Sequence, residues 1–357
     1  MGAKKIKFIE VKSELGAGTR GASLGPDALK IVSLEYPGYF FGKFKRKEIR
    51  DSSRLLYKNP IRSYAKRIRG IVEIFRKLTR TMAEELLDDK FPVVLSGDHS
   101  SAGGTIAGIR VAYPEKRLGV IWIDAHADLH SPFTTPSGNV HGMPVAVSLG
   151  IDNLPDAQNR LENDHTVEYW ETLKNMGGIC PKIQPSDLVF IGLRDMEKPE
   201  ENYIRDNKIK VVTVADIRKG KIKEICNQVR RYLSHCDALY ISFDVDVLDS
   251  SIVKGTGTPV PNGLSLSEVK KILENLCKDK RLVCFEITEI NPLLDQNNQT
   301  ARLVFPVFKS TVMAIKKRLE NEEKKRRKQE RKALKAAREL IQAGMHPTPD
   351  PAETART

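Results

Sequence analysis

The sequence predicts a single α/β domain built on a mostly parallel β-sheet with helices on both faces. Three observations carry that expectation. Short apolar, β-rich runs recur at residues 6–11, 91–95, 118–123, 188–191, 210–214, 238–243 and 282–287. Amphipathic helical stretches lie between several of them, at residues 63–87, 221–233 and 265–277. Runs that are apolar throughout, rather than at alternate positions, suit strands of a sheet covered on both sides.

Each element has a local reason. With 357 residues, 40% of them hydrophobic, the chain can bury one large core. The first run follows directly on a Lys-rich start that lacks the apolar stretch and small-residue cleavage site of a secretion signal. The helix at 265–277 opens with Ser265 and, three residues on, Glu268, the spacing of a capping box. Residues 134–144 and 151–185 read as long loops or insertions, and no internal repeat is visible. The expected organisation is a catalytic domain over 1–315, a charged helical extension over 316–345 and a disordered tail over 346–357.

Nearly half of the net charge of +13 is local. Residues 316–357 alone carry a net +6, on a helix whose apolar positions (Leu319, Leu334, Leu340, Ile341) are too sparse for a core-facing stripe. Mixed charges four residues apart suit a solvated helix. A basic module that uses this tail on nucleic acid or a membrane surface is the alternative from another class, although nucleic acid is not the expected partner. No apolar stretch approaches the roughly 20 residues of a membrane span. The five cysteines are odd in number and show no CxxC spacing, so they read as reduced thiols of a cytoplasmic protein.

In an open parallel sheet, ligands bind beyond the carboxyl ends of the strands. Polar residues cluster there: Ser96-Gly97-Asp98-His99 after one run, Asp124-Ala125-His126-Ala127-Asp128 after a second, Asp244-Val245-Asp246 after a third. In an extended segment, alternate residues share a side, so Asp124, His126 and Asp128 can converge, as can Asp244 and Asp246. Four carboxylates in one cleft repel one another unless cations neutralise them. Two imidazoles, four carboxylates and no thiolate suit a pair of Mn2+ ions better than structural zinc.

GDHS, DAHAD and SFDVDVLD, in this order and spacing, resemble the three signatures of the arginase/agmatinase (ureohydrolase) family, and ELGAGTRGASLGP near the start is similar too. The resemblance spans about residues 10–306 and implies an arginase-like three-layer α/β/α fold. It implies that Asp124 and Asp244 bridge two ions, that His99 and Asp128 complete one and that His126 and Asp246 complete the other. The activity implied is manganese-dependent hydrolysis of a linear amidine at C–N, by attack of a hydroxide held between the two metals on the guanidinium carbon. Asp128 would accept that hydroxide's proton, His141 would pass a proton to the departing amine, and Glu289 would grip the guanidinium. Glu286 is the other glutamate of FEITEINP.

The loop TTPSGNVHGMP resembles arginases rather than agmatinases, so L-arginine, giving L-ornithine and urea, is the expected substrate. Thr135, Ser137 and Asn139 would then hold the substrate's α-carboxylate and amino group. Two departures stand out: His130 replaces an asparagine common in arginases, and Glu197 replaces an aspartate, with Asp195 as a second candidate. The rival within the class is an agmatinase or formimidoylglutamase. The resemblance further implies a homo-oligomer, trimeric or hexameric.

Overall fold

The computed structural model describes residues 4–49, 53–60, 64–161 and 165–342. Eight strands form one sheet: β1 (Lys5–Val11), β2 (Lys45–Ile49), β3 (Lys90–Ser96), β4 (Leu118–Ile123), β5 (Leu188–Ile191), β6 (Lys210–Val212), β7 (Ala238–Asp244) and β8 (Leu282–Thr288). Their order is β2-β1-β3-β8-β7-β4-β5-β6, and every pairing is parallel. All seven expected strands are present. The eighth, β2, has the sequence KRKEI and sits at the sheet edge, where charged side chains discourage further pairing.

Successive residues feed opposite layers. Phe8 packs into one core with Phe285, Phe305 and Phe308, while Ile9 packs into the other with Phe75, Trp122 and Tyr240. The first layer is closed by α1 (Gly25–Ser33), α7 (Val214–Lys219), α8 (Ile222–Tyr232), α9 (Leu266–Leu276) and α10 (Gln299–Gln342). The second is closed by α2 (Ile68–Leu87), α3 (Ser101–Ala112), α4 (Pro144–Leu149) and α5 (Thr166–Lys174), with α6 (Lys198–Asp206) at its margin. This is the three-layer α/β/α arrangement.

Three expectations need correction. The run expected to be strand through 214 ends at Val212, because Thr213 caps α7: its hydroxyl accepts from the Asp216 N–H and the Asp216 carboxylate accepts back from Thr213 N–H. Residues 134–144 and 151–185 are not purely loop; Pro144 opens α4, and α5 buries Trp170 and Leu173. The charged helix does not begin near 316 but continues α10, whose first half buries Val304, Phe305, Phe308, Val312, Ile315 and Leu319 at helical spacing. Residues 328–341 of this helix are exposed. The tail expected over 346–357, like residues 343–345, lies outside the described residues. No helix among the described residues is long and apolar enough to cross a membrane.

Candidate metal centre

The four central strands, β3, β8, β7 and β4, deliver their tips to one place. Beyond β3, Gly97 N–H donates to the Val11 carbonyl, turning the chain so that His99 faces the cleft. Beyond β4 the chain does not stay extended. It bends at once, with His126 N–H donating to the Asp124 carboxylate at 2.8 Å and Asp128 in a left-handed conformation (φ 52°). The expected convergence of Asp124, His126 and Asp128 is thus achieved by a turn rather than by strand alternation. Asp244 ends β7, and Asp246 follows on a short 3-10 turn whose N–H donates to the Asp244 side chain at 2.8 Å. Glu289 follows β8 in a left-handed conformation (φ 64°), its N–H donating to the Gly97 carbonyl.

Two ligand groups result. His99 Nδ1 lies 3.0 Å from Asp124 Oδ2, 3.0 Å from Asp128 Oδ2 and 3.1 Å from Asp244 Oδ2. His126 Nδ1 lies 3.0 Å from Asp246 Oδ2 and 3.5 Å from Asp124 Oδ1. Asp124 offers one oxygen to each group. Three of these atoms, His99 Nδ1, Asp124 Oδ2 and Asp128 Oδ2, are fully buried yet lack a hydrogen-bond partner. Buried polar atoms left in this state are costly, and here they face one another. A divalent cation among them resolves that cost, so the residues present fit a metal pair.

The electrostatics agree. Burial pushes the Asp128, Asp244 and Asp246 carboxyls upward, Asp246 to about 6, and repulsion among the four acids adds to it. Burial would keep the His99 imidazole neutral, but the three carboxylates around it raise it instead. Its other nitrogen, Nε2, is held by Ser242 Oγ at 2.7 Å, and its ring stacks on Trp122 at 4.1 Å. Such outer partners fix a ligand's orientation before a metal arrives.

A cavity of about 370 Å3 opens over these groups. Every site residue expected from sequence lines it except Asp124, which lies buried beneath. Glu289 and Glu286 are separated as their spacing required: Glu289 reaches the cavity, whereas Glu286 stays within the sheet, bonded to Ser96 and Tyr240. His141 Nδ1 meets Glu289 Oε1 at 3.0 Å, an oxygen that also accepts from His99 N–H. Glu289 Oε2 has no protein donor among the described residues.

At the outer end, His130 Nε2 bonds Glu197 at 2.9 Å and lies 3.5 Å from Glu200. The imidazole holds Glu197 down to about 2, while burial lifts Glu200 to about 7. In the same lining, Thr135 Oγ1 accepts from Gly138 N–H, Ser137 Oγ accepts from Asn139 N–H, and Asn139 Oδ1 accepts from Lys66.

Sequence reasoning missed Glu200, Thr258 and Ser242. Glu200 had a usable signal, since Glu197 and Glu200 form the capping box of α6. Thr258, whose hydroxyl donates to Asp246 at 3.1 Å, lies on an irregular loop that offered none. A further cluster of Asp187, His235 and Cys236 sits apart from the cleft. Arg117 already occupies the Asp187 oxygen at 2.7 Å, which leaves no vacancy for a cation.

Imidazole and carboxylate ligands converging on the carboxyl ends of parallel strands define a metal-dependent α/β enzyme with a binuclear centre. Within that class the chain belongs to the arginase family, whose model it matches over residues 4–314. It is 34% identical to the arginase of Bacillus subtilis over 316 residues, covering 86% of this chain and 97% of that one. The arginase structure from Bacillus caldovelox superposes with a TM-score of 0.74 at 32% identity, covering 86% and 98% of the two chains. A formimidoylglutamase from Bacillus subtilis, at 20% identity and a TM-score of 0.66, shares the fold alone.

Proposed function

We propose that the chain hydrolyses L-arginine to L-ornithine and urea with two Mn2+ ions held by His99, Asp124, His126, Asp128, Asp244 and Asp246. The observation that carries this reading is the pair of facing ligand groups that share Asp124 and bury three unpartnered polar atoms. A metal pair there supplies an activated water at neutral pH. The chain's own residues do the rest. Glu289 Oε2 accepts from the planar guanidinium and orients its carbon above Asp128. Asp128 takes a proton from the attacking water as the new C–O bond forms.

Burial would lower His141, but the Glu289 carboxylate that holds it raises it to about 9, which favours the protonated form needed of a general acid. His141 gives that proton to arginine Nε as the bond from the guanidinium carbon to Nε breaks, and that nitrogen leaves as the δ-amino group of ornithine. Thr135, Ser137 and Asn139 hold the α-carboxylate, and Glu197 and Glu200 face the α-ammonium group, with His130 orienting Glu197. The similarity to arginases at about a third identity, with the formimidoylglutamase more distant, supports arginine over other amidines.

The catalytic unit includes α10 at least to Leu319, and the exposed remainder of that helix is an appendage. A cytoplasmic homo-oligomer, a trimer or hexamer, completes the reading, and light scattering of the purified protein tests it. The decisive experiment loads the protein with manganese and follows urea from arginine and agmatine, and formamide from formimidoylglutamate. Urea from arginine alone is expected; turnover of another amidine in its place overturns the substrate, and no turnover overturns the activity.

A further inference from the structure

We propose that Lys66 is a positioning residue for the carboxylate end of the substrate, turning the Asn139 amide so that its NH2 group is free to donate and placing a positive charge behind it. The proposal rests on the arginine reading above. Lys66 lies in the turn that precedes α2, far in sequence from the loop it touches. Its backbone N–H donates to the Gly138 carbonyl at 2.8 Å, and its Nζ donates to Asn139 Oδ1 at 3.4 Å. A lysine ammonium can only donate, so the amide atom facing it has to be the oxygen. The Asn139 Nδ2 is therefore turned away from Lys66, over Gly18, where even a Cβ atom would come within 2.6 Å of it.

The backbone contact acts on the same loop. Gly138 is left-handed (φ 71°), and its N–H is bound by Thr135 Oγ1, as Asn139 N–H is bound by Ser137 Oγ. Both hydroxyls thus accept from the backbone and keep their own protons for an anion. Lys66 forms no ion pair with any described carboxylate, so none of these compensates its charge beside Asn139. The same cavity is lined by Glu197, which is paired with His130, and by Glu200. A cation beside Asn139 and carboxylates elsewhere in the same cavity suit an α-amino acid with its carboxylate toward Asn139 and its ammonium group toward the glutamates. A guanidine that lacks the carboxylate has nothing for Lys66 to act on.

The test compares Lys66→Met and Lys66→Arg with the wild type as full-length, manganese-loaded protein. Lys66→Met is expected to raise KM for arginine by about five- to tenfold, the scale of a partly screened charge, with kcat within about twofold. Its inhibition constant for L-ornithine should rise in step, while that for putrescine, which is ornithine without the carboxylate, stays unchanged. Lys66→Arg should restore both wild-type values, since a guanidinium also only donates. An unchanged KM in Lys66→Met, equal weakening of ornithine and putrescine, or no rescue by Lys66→Arg overturns the proposal. Failure of the wild type to hydrolyse arginine overturns the substrate reading and the proposal together.

Discussion

His141 and Glu289 form a partly buried contact, Nδ1 to Oε1 at 3.0 Å, that joins a loop after β4 to the tip of β8. Each partner depends on the other. Burial would hold the imidazole neutral, yet Glu289 raises it to about 9, and the imidazolium in turn lowers Glu289 against the opposite pull of burial. One proton is thereby stored beside the cleft.

That stored proton has a signature in stability. A histidine raised from its ordinary value near 6.5 to about 9 stabilises the fold fully below about pH 6.5, and loses that contribution as pH climbs to 9. Calorimetry on metal-stripped protein should therefore show stability falling across this window, with a part due to His141. In Glu289→Gln the fall should be shallower by about one proton, roughly 1.4 kcal/mol per pH unit. Parallel curves for the two proteins would show that the pair is not formed.

The ligand carboxylates separate activity from stability. Burial and the neighbouring Asp124 both disfavour a charged Asp128 in the folded chain without metal. Asp128→Asn should therefore melt no lower than wild type after chelation, yet lose at least about a thousandfold in kcat with manganese present. His126→Ala should lose turnover similarly while the fold survives. Near-native urea release from either variant contradicts the assigned roles. Wild-type protein should itself gain stability on metal addition, by about 2.7 kcal/mol for each site at which the free ion is a hundred times its Kd.

Gly97 is where three strands meet. A Cβ there would lie 2.1 Å from the Ser13 carbonyl and 3.1 Å from that of Ala22, both backbone atoms that cannot rotate away. Gly97→Ala should lower unfolding stability by at least about 2 kcal/mol in urea titration. Metal affinity should drop with it, because His99 is two residues on. An unaltered midpoint would mean that the β1–β3 junction is looser than its geometry.

The long helix α10 can be shortened, but only from the right place. Deleting residues 328–357 removes exposed helix and should leave kcat and melting temperature as they were. Deleting from 316 also removes Leu319 and Arg318, whose guanidinium donates to the Leu282 carbonyl and lies over the Phe91 ring at 5.4 Å. That truncation should lower the melting temperature by several degrees, as loss of a buried anchor does. Equal behaviour of the two truncations would place the end of the core elsewhere.

The sheet was legible in sequence because its strands are buried on both faces and read as unbroken apolar runs. β2 was not, since its five residues are mostly charged and only its pairing with β1 makes it a strand. α3 escaped notice for the opposite reason: SAGGTIAGIRVA is buried on nearly every side, and it shows no amphipathic stripe and several glycines. The six proposed ligands could be found from strand-end positions alone. Their approach could not, because the left-handed turn at Asp128 is set by the surrounding fold rather than by local alternation. Lys66 carried no sequence signal at all, since nothing near it in the chain resembles a site and its partner lies 73 residues away.

The sheet order also bears on how the protein is made. β3 and β4 follow each other along the chain, yet β7 and β8 end up between them. Strand spacing then sets the tips that bear His99 and Asp124 about 14 Å apart in the sheet. As the chain emerges from a ribosome, its first two hundred residues hold four of the six proposed ligands and nothing yet fixes the gap between them. Cation capture has to wait until β7 and β8 are inserted, which makes loading of the centre a late, almost post-translational event.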